Sequence, residues 1–278
     1  MIGSSPPLAG VVGWPIGHSK SPRLHGHWLR RYGIDGHYVP LAVGPEDFEV
    51  ALRALPLLGF RGVNVTIPHK ERALAIADAV TDRAASVGAA NTLTFGKDGA
   101  IEADNTDGFG FIANLRQHAA DWSAGSGPAV VLGAGGAARG VLSALLSDGA
   151  REIRLANRSE GRARDLAAHF GGAVSVIDMS DVPAALADAA TLVNTTSLGM
   201  TGHPPLELDL TRASPDLLVT DIVYNPLVTP LLGRAATRGL RAVDGLGMLL
   251  HQAAPGFERW FGIAPEVDDD LRAAVLAE

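Results

Sequence analysis

The sequence predicts an α/β protein whose second half is a doubly wound parallel sheet. Short runs rich in Val, Leu and Ile alternate with amphipathic segments along almost the whole chain, which is typical of parallel sheets covered by helices. A glycine-rich turn follows one of these runs and opens a helical segment. With 278 residues and 47% hydrophobic content, the chain is long and apolar enough for one or two packed domains.

The composition narrows the function classes. The formal net charge is −7 and no basic block occurs, so we expect neither nucleic acid nor an anionic membrane surface as a partner. The chain has no cysteine, which removes disulfides, thiolate zinc sites and cysteine nucleophiles, and fits a reducing compartment. No export signal and no long apolar span are recognised. The expected location is the cytoplasm.

In the first part of the chain, strands are predicted at LAGVVGW, HYVPLAV and GVNVTI, with helices over residues 22–32 and 45–55 between them. A parallel arrangement would place the carboxyl ends of these strands together. A further helix is predicted over residues 105–120, capped by Asn105 or Thr106 with Asp107 in its first turn.

The second part begins after a small, polar stretch over residues 121–128. Six strands are predicted there, which is the number of a doubly wound sheet, and they are AVVLGAG, EIRLAN, AVSVID, TLVNTT, LLVTDIVY and LRAVDG. The last stretch, GMLLHQAAPGFERWF, is predicted to be helical.

The turn Gly133-Ala134-Gly135-Gly136-Ala137-Ala138 matches the G-x-G-x-x-A pattern and lies between a predicted strand and a predicted helix. Gly133 permits the tight turn, Gly135 lets backbone N–H groups approach a pyrophosphate, and Ala138 lets the helix pack close to the sheet. Taken alone, such a turn also ends strands that bind no ligand. Its context favours a dinucleotide site.

The next strand identifies the cofactor. It ends at Asn157-Arg158-Ser159, where an NAD site would offer a carboxylate to the ribose 2′-hydroxyl, and no carboxylate is present at that tip. Arg158 and Arg162 instead supply guanidinium groups suited to a 2′-phosphate, with Asn157 and Ser159 as neutral partners. We therefore predict NADP.

Two charged residues at predicted helix starts suggest acid–base chemistry. In Asn64-Val65-Thr66-Ile67-Pro68-His69-Lys70, two neutral hydrogen-bonding side chains share one face of a strand end, and the lysine follows in a first helical turn. That position disfavours the ammonium form of Lys70, and an aspartate such as Asp107 beside it would restore and orient it. Taken alone, Lys70 is better explained as a solvated surface cation, and an ordinary helix cap also explains Asp107.

The order of short motifs resembles the shikimate dehydrogenase family over nearly the whole chain. The matching stretches are GHSKSP (17–22), NVTIPHK (64–70), GAANTL (88–93), DNTDG (104–108), GAGGAARG (133–140), NRS (157–159), NTTSLGM (194–200), DIVYNP (221–226) and DGLGMLLHQA (244–253). One departure is visible, because the family often has Thr where this chain has Ser159. The strength of the NADP preference depends on that position.

The resemblance implies a role for each matching residue. It makes Lys70 and Asp107 the catalytic pair. The substrate-binding residues that it implies are Ser19, Ser21, Asn64, Thr66, Asn91, Asp107, Tyr224 and Gln252. The cofactor-binding residues that it implies are Gly133, Ala134, Gly135, Gly136, Ala137, Asn157, Arg158, Ser159, Arg162, Ile222, Gly245 and Met248. No metal is implied.

The resemblance also implies an architecture and a reaction. A substrate-binding domain would comprise residues 1–106, completed by the C-terminal helices of residues 247–278, and a Rossmann domain for NADP would comprise residues 107–246. The reaction would be the reversible, NADPH-dependent reduction of 3-dehydroshikimate to shikimate, a step of chorismate and aromatic amino acid biosynthesis, by a monomer or homodimer. The alternatives are a quinate or dual quinate/shikimate dehydrogenase and, more distantly, a catalytically silent NADP-binding sensor.

His25, His27 and His37 have no acidic residue at metal-ligand spacing, so they are predicted to be surface or helix-face residues. The aromatic residues Trp28, Phe257, Trp260 and Phe261 are predicted to serve packing.

Overall fold

The computed structural model describes residues 6–277. Its chain forms two compact units, Met1–Thr106 with Leu250–Glu278, and Asp107–Leu249. The chain therefore passes from one unit to the other twice. Among the helices described over residues 6–277, none is both long and apolar enough to cross a bilayer.

The first unit contains a six-stranded mixed sheet. Its strands are β1 (Leu8–Gly13), β2 (His37–Ala42), β3 (Phe60–Val65), β4 (Ala79–Val80), β5 (Thr92–Phe95) and β6 (Ile101–Asp104). They lie in the order β2-β1-β3-β5-β6-β4. The three predicted strands, β1 to β3, are parallel as expected, whereas β5 is antiparallel to both β3 and β6. A short turn joins β5 to β6, and such a turn can only connect antiparallel strands.

Four helices follow the strands of this unit along the chain. They are α1 (Ser21–Arg31), α2 (Phe48–Ala54), α3 (Lys70–Ala75) and α4 (Asp82–Val87). The first two confirm the predicted helices within a few residues at each end. The other two are short, with six residues each. The predicted helix start at Lys70 corresponds to α3, whereas α4 was not predicted.

The second unit contains a six-stranded sheet in which every neighbouring pair is parallel. Its strands are β7 (Ala129–Leu132), β8 (Ile153–Ala156), β9 (Val174–Val176), β10 (Thr191–Asn194), β11 (Leu218–Asp221) and β12 (Arg241–Val243). Their order, β12-β11-β10-β7-β8-β9, is that of the doubly wound dinucleotide-binding fold, whose topological switch point lies between β7 and β10. The predicted six strands and their fold class are confirmed.

The helices of this unit are α5 (Asp107–His118), α6 (Gly136–Ser147), α7 (Glu160–Phe170), α8 (Val182–Ala185) and α9 (Pro230–Thr237). Helix α5 confirms the helix predicted over residues 105–120 within two residues at each end, with Asp107 in its first turn, and it packs on α6. That packing is close, because a Cβ added to Gly108 would lie 2.9 Å from the Ala144 Cβ.

The chain ends with α10 (Leu246–Phe261), which begins in the second unit and continues into the first, and with α11 (Asp269–Leu276). Within the first unit, α10 contributes Phe257 and Trp260 to an aromatic core with Trp28, and all three are fully buried. The Trp260 Nε1 donates to the Leu93 carbonyl at 3.2 Å. These three aromatic residues therefore serve packing, as predicted.

Candidate active site

A cluster of neutral amide and hydroxyl side chains lies in the first unit, where β3 and β5 pair. Asn64 is in β3 and Asn91 directly precedes β5, and both are buried. The Asn64 Nδ2 donates to the Asn91 carbonyl at 3.2 Å and to the Thr92 Oγ1 at 3.1 Å. The antiparallel pairing of the two strands thus brings residues that are far apart in sequence into one hydrogen-bonded group.

Asn91 connects this group to the C-terminal helix. The Asn91 Nδ2 donates to Gln252 Oε1 at 3.2 Å, while the Asn91 Oδ1 accepts from the Thr106 backbone N–H at 2.8 Å. The Thr106 hydroxyl in turn lies 2.8 Å from the Gln252 carbonyl oxygen, to which it donates. The structure therefore brings three of the predicted substrate residues, Asn64, Asn91 and Gln252, directly together.

Ser19 and Ser21 belong to the loop that joins β1 to α1. Ser21 is the first residue of α1 and is buried, and its backbone N–H donates to the Ser19 Oγ at 3.3 Å. Thr66 directly follows β3, and its backbone N–H donates to the Val12 carbonyl at 2.9 Å. The parallel β1 and β3 thus end side by side, so these three hydroxyl residues share one edge of the sheet.

Lys70 and Asp107 each occupy the first position of a helix, and each is half-buried. Lys70 opens α3 in the first unit, where its backbone carbonyl accepts from the Ala90 N–H at 2.9 Å. Asp107 is the first residue of α5, which is the first element of the second unit. A Cβ added to Gly140 of α6 would lie 3.8 Å from the Cβ of Asp107. Asp107 therefore borders the helix that follows the glycine turn.

The glycine turn between β7 and α6 has the backbone that a phosphate site needs. Gly133 has a φ of +107°, and a Cβ there would lie 2.6 Å from Thr195 Oγ1. Gly135 is the N-cap of α6, and a Cβ on it or on Gly136 would meet nothing within 4 Å. Ala134 and Ala137 are half-buried, and Ala138 is fully buried. The backbone N–H groups at the start of α6 are thus open to an anion.

The tip of β8 carries positive charge beside this turn. The Asn157 Nδ2 donates to the Ser159 carbonyl at 2.8 Å, which shapes the loop before α7. Over residues 6–277, Arg158 and Arg162 form no ion pair, whereas Arg164 pairs with Glu160.

A cavity of about 230 Å³ adjoins this tip, and its lining includes Gly133, Asn157, Arg158, Met179 and Leu198. Apolar walls suit an adenine ring, and the arginine at the rim suits a phosphate. The residues present fit NADP.

The remaining predicted cofactor residues lie in the second unit, near the ends of β11 and β12. A Cβ on Gly245 would lie 2.4 Å from the Ile222 carbonyl oxygen, so only glycine fits there. Met248 packs against the core of that unit. Tyr224 is half-buried, and burial raises the pKa of its phenol.

A buried carboxylate anchors the loop that carries Ile222 and Tyr224. The Asp221 carboxylate accepts from the Asn194 Nδ2 at 3.0 Å, the Val223 N–H at 3.0 Å and the Thr229 hydroxyl at 2.8 Å. Burial raises the pKa of Asp221, and these three hydrogen bonds lower it in part. The loop is thereby tied to β10 and to the start of α9.

Three polar residues around Asn64 and Asn91 were not predicted from the sequence as part of the site. Thr92 and Thr106 lie inside the motifs GAANTL and DNTDG, so their position next to Asn91 and Asp107 was an available signal. Tyr38, which contacts Asn64, lies in a strand without any motif, and nothing in the sequence marked it.

The three histidines differ in exposure. His37 is exposed and His27 is half-buried, whereas His25 lies on the buried inner face of α1, so it is a helix-face rather than a surface residue. Burial lowers the pKa of His25 to about 3, which keeps the ring neutral. Over residues 6–277 the structure contains no group of three or more acidic, histidine or cysteine side chains that could hold a metal ion.

Three family models match successive parts of the chain. The model described as shikimate dehydrogenase substrate binding domain matches residues 11–93. The one described as shikimate / quinate 5-dehydrogenase matches residues 116–204, and the one described as shikimate 5′-dehydrogenase C-terminal domain matches residues 245–275.

Curated relatives and solved structures agree with these matches. The shikimate dehydrogenase (NADP(+)) of Paracoccus denitrificans is 64% identical over 271 residues, which cover 98% of this chain and 96% of the relative. Shikimate 5-dehydrogenase from Thermus thermophilus, solved with NADP(H) and shikimate, is 34% identical with a TM-score of 0.86, over 96% of this chain and 98% of the other. Quinate dehydrogenase from Corynebacterium glutamicum, solved with NAD, is 30% identical with a TM-score of 0.90, over 98% and 99%.

Proposed function

This chain belongs to the shikimate dehydrogenase family, and on that premise we propose that it catalyses the reversible, NADPH-dependent reduction of 3-dehydroshikimate to shikimate. One structural observation carries the proposal. The chain combines a buried, uncharged amide cluster around Asn64 and Asn91 with an open glycine turn, and the neighbouring strand tip carries Arg158 and Arg162, which form no ion pair within residues 6–277. The amide cluster suits a polyhydroxylated substrate, and the two arginines suit NADP rather than NAD.

The proposed substrate residues match the chemistry of a ring with several hydroxyls and one carboxylate. Ser19 and Ser21 would donate hydroxyl hydrogen bonds to the carboxylate. The amide and hydroxyl groups of Asn64, Thr66, Asn91 and Gln252 would bind ring hydroxyls, with Tyr224 as a further contact. Such neutral groups both donate and accept, so they recognise hydroxyls without a metal.

The proposed cofactor residues are the turn Gly133–Ala137, the strand tip with Asn157, Arg158, Ser159 and Arg162, and the contacts Ile222, Gly245 and Met248. NADPH, when bound, supplies the hydride. The backbone N–H groups at the start of α6 would hold its pyrophosphate, and the two guanidinium groups would hold its 2′-phosphate.

Lys70 and Asp107 are the proposed catalytic residues. As the keto carbon is reduced, negative charge develops on its oxygen, and the Lys70 ammonium would stabilise that charge and donate a proton to the same oxygen. In the reverse direction, neutral Lys70 would accept the hydroxyl proton. Asp107 would orient Lys70 and accept a hydrogen bond from a substrate hydroxyl.

We also propose which part of the chain binds each ligand, where the protein is located and how it assembles. Residues 1–106, completed by residues 247–278, would bind the substrate, and residues 107–246 would bind NADP. The structural division falls at Thr106/Asp107 and at Leu249/Leu250. We place the protein in the cytoplasm, as a monomer or homodimer, with a small-molecule substrate and neither nucleic acid nor a membrane as partner.

One assay tests the proposal against its alternatives. Initial rates are measured with shikimate and quinate, each paired with NADP⁺ and NAD⁺. We expect shikimate with NADP⁺ to give the highest kcat/KM by at least about tenfold, a difference of about 1.4 kcal/mol. A preference for quinate would assign the chain to quinate oxidation. Tight NADP⁺ binding without turnover of either substrate would favour the silent sensor.

A further inference from the structure

Tyr38 touches two side chains of the proposed substrate site, those of Asn64 and Ser21. Tyr38 lies in β2 and is buried with its hydroxyl directed at Asn64, and this hydroxyl donates to the Asn64 Oδ1 at 2.7 Å. The bond crosses β1, because β2 and β3 pair with β1 on opposite sides. It is a buried contact between two polar groups, the kind that costs most when one partner is removed.

The hydrogen bonds of Asn64 leave its side-chain amide with a single orientation. Both hydrogens of Nδ2 are used, one toward the Asn91 carbonyl at 3.2 Å and one toward the Thr92 Oγ1 at 3.1 Å. A backbone carbonyl can only accept, so the end that faces Asn91 must be the nitrogen. The Oδ1 then accepts from Tyr38.

Tyr38 is itself held firmly as a donor. Its ring stacks on the buried, neutral His25 ring, with 3.8 Å between centroids and 4° between planes, and lies 6.2 Å from the Trp260 ring. Burial raises the pKa of Tyr38 well above its ordinary value, and the nearby Ser21 hydroxyl offsets part of the rise. The phenol is therefore protonated at all working pH values, and its O–H is available to Asn64.

We propose that Tyr38 is a positioning residue that fixes the Asn64 amide so that Asn64 meets the substrate only as a hydrogen-bond acceptor. This inference rests on the proposed function, which makes Asn64 a substrate contact. An acceptor bonds a hydroxyl but not a keto or ether oxygen, so the arrangement selects a free substrate hydroxyl at that position. Tyr38 thus sets specificity without touching the substrate.

The first test is Tyr38→Phe in the intact chain, with Tyr32→Phe as the matched control. The Tyr32→Phe variant also removes a phenol hydroxyl from the first unit. In the wild type, that hydroxyl accepts from the Glu266 N–H at 2.9 Å. For Tyr38→Phe we expect the KM for shikimate to rise about three- to tenfold, the effect of one lost hydrogen bond. The KM for NADP⁺ and kcat should change less than about twofold, as should all constants of Tyr32→Phe.

A double-mutant cycle separates positioning from a merely structural role. If Tyr38 acts through Asn64, then Tyr38→Phe has no further effect on the shikimate KM in an Asn64→Ala background. An equal rise in both backgrounds, or no rise in the wild-type background, would overturn the proposal. A fall in melting temperature with unchanged KM for shikimate would do the same.

A readout without substrate makes the outcome independent of the proposed function. In ¹⁵N NMR spectra, the two side-chain amide hydrogens of Asn64 should exchange slowly with solvent in the wild type and in Tyr32→Phe, and faster in Tyr38→Phe. Thr92→Val, which removes one acceptor of Nδ2, should also speed this exchange. Unchanged exchange in both Tyr38→Phe and Thr92→Val refutes the positioning role, whereas a wild type that does not turn over shikimate refutes only the proposed function.

Discussion

Among single residues, Lys70 is the one that we propose for proton transfer. A positioned ammonium at a developing oxyanion typically contributes about 10²–10⁴ in rate. We expect Lys70→Ala to lower kcat by at least about 10²-fold while the KM for shikimate changes far less, because the neutral serine and amide contacts remain. Steady-state kinetics measures both constants.

Lys97→Ala is the control for this variant, because Lys97 is exposed in the turn between β5 and β6 and should leave both constants unchanged. Asp107→Ala should be similarly damaging, and the double variant should lose much less than the product of the two single losses, as happens when two residues act as a unit. A folded Lys70→Ala enzyme with near wild-type turnover would refute the proposed role.

The preference for NADP⁺ over NAD⁺ is expected to depend on Arg158. Arg158 lines the cavity at the tip of β8 and has no ion-pair partner over residues 6–277, so its charge is available to a 2′-phosphate. We expect Arg158→Ala to weaken NADP⁺ binding by about 1.5–3 kcal/mol, roughly 10- to 150-fold, and NAD⁺ binding far less. Titration calorimetry with each cofactor measures the difference.

The control is Arg164→Ala on α7, the helix that follows the loop of Arg158, because Arg164 is exposed and already paired with Glu160. It should leave both affinities within about twofold, since exposed pairs contribute little. Equal weakening toward NADP⁺ and NAD⁺ in Arg158→Ala would contradict the 2′-phosphate assignment.

At the scale of elements, one buried carboxylate ties two helices of the first unit to β6. Asp104 is fully buried at the end of β6, and it accepts from Arg83 at the start of α4 at 2.5 Å and from Thr81 at 2.8 Å. Arg259 of α10 lies 3.4 Å from the same carboxylate. Burial alone would raise the pKa of Asp104, but the Arg83 guanidinium and the other donors hold it below its ordinary value.

We expect Asp104→Asn to lower the free energy of unfolding at pH 7 by about 2 kcal/mol, because the guanidinium groups lose a charged partner. A carboxyl with a lowered pKa stabilises the fold above its unfolded pKa, about 3.9, and that contribution disappears as the pH falls below it. The difference between the two proteins should therefore shrink below about pH 4. Urea unfolding at several pH values measures it.

Glu102→Gln provides the comparison, since Glu102 lies two residues away and pairs with Arg259 at a largely exposed position. Its loss should cost less than about 1 kcal/mol at pH 7. If Asp104→Asn were equally mild, the buried carboxylate would not be what fastens α4 and α10 to the sheet.

The elements differ in how much of them the sequence predicts. All six strands of the second unit were predicted, because strands buried on both faces are rich in apolar residues, as in the unbroken run AVVL of β7. In the first unit, β4, β5 and β6 were not predicted. Strand β4 has two residues, β5 has four, and β6, IEAD, ends in a buried charge. The charge of Asp104 is paired with Arg83 and Arg259, which lie far from it in sequence, so no local sequence pattern predicts that this residue ends a strand.

The same contrast holds in the candidate site. Asn64, Asn91 and Lys70 stand in motifs that the family resemblance marks, so the sequence names them. The orientation of the Asn64 amide depends on the hydroxyls of Tyr38 and Thr92, which meet it only through the pairing of strands that are distant in sequence. Strand register and the orientation of a side-chain amide are set by the tertiary fold, so no local sequence pattern predicts them.

At the scale of the whole molecule, the two units differ in how they are assembled from the chain. The second unit, Asp107–Leu249, is one continuous segment with its own core. The first unit is discontinuous, because Leu250–Glu278 completes it. The buried aromatic pair Phe257 and Trp260 and the amide Gln252 come from that returning segment, so residues 1–106 alone lack part of both the core and the proposed substrate site.

This asymmetry predicts opposite behaviour for two fragments. Residues 107–249, expressed alone, should fold cooperatively and bind NADP⁺ within about tenfold of the affinity of the intact chain. Residues 1–106 alone should not unfold cooperatively, because removing Phe257 and Trp260 exposes the Trp28 core. The cost is about 3–5 kcal/mol for each lost aromatic side chain, which approaches the whole stability of a domain. Circular dichroism and fluorescence titration with NADP⁺ measure these outcomes.

The control for the first fragment restores the missing segment. Joining residues 250–278 through a Gly/Ser linker to the start of residues 6–106 should bring back a cooperative transition, because the aromatic core is then complete. A fragment of residues 107–249 that folds but binds NADP⁺ more than about a hundredfold weaker than the intact chain would show that the first unit contributes substantially to cofactor binding. The assignment of the cofactor residues to the second unit alone would then be wrong.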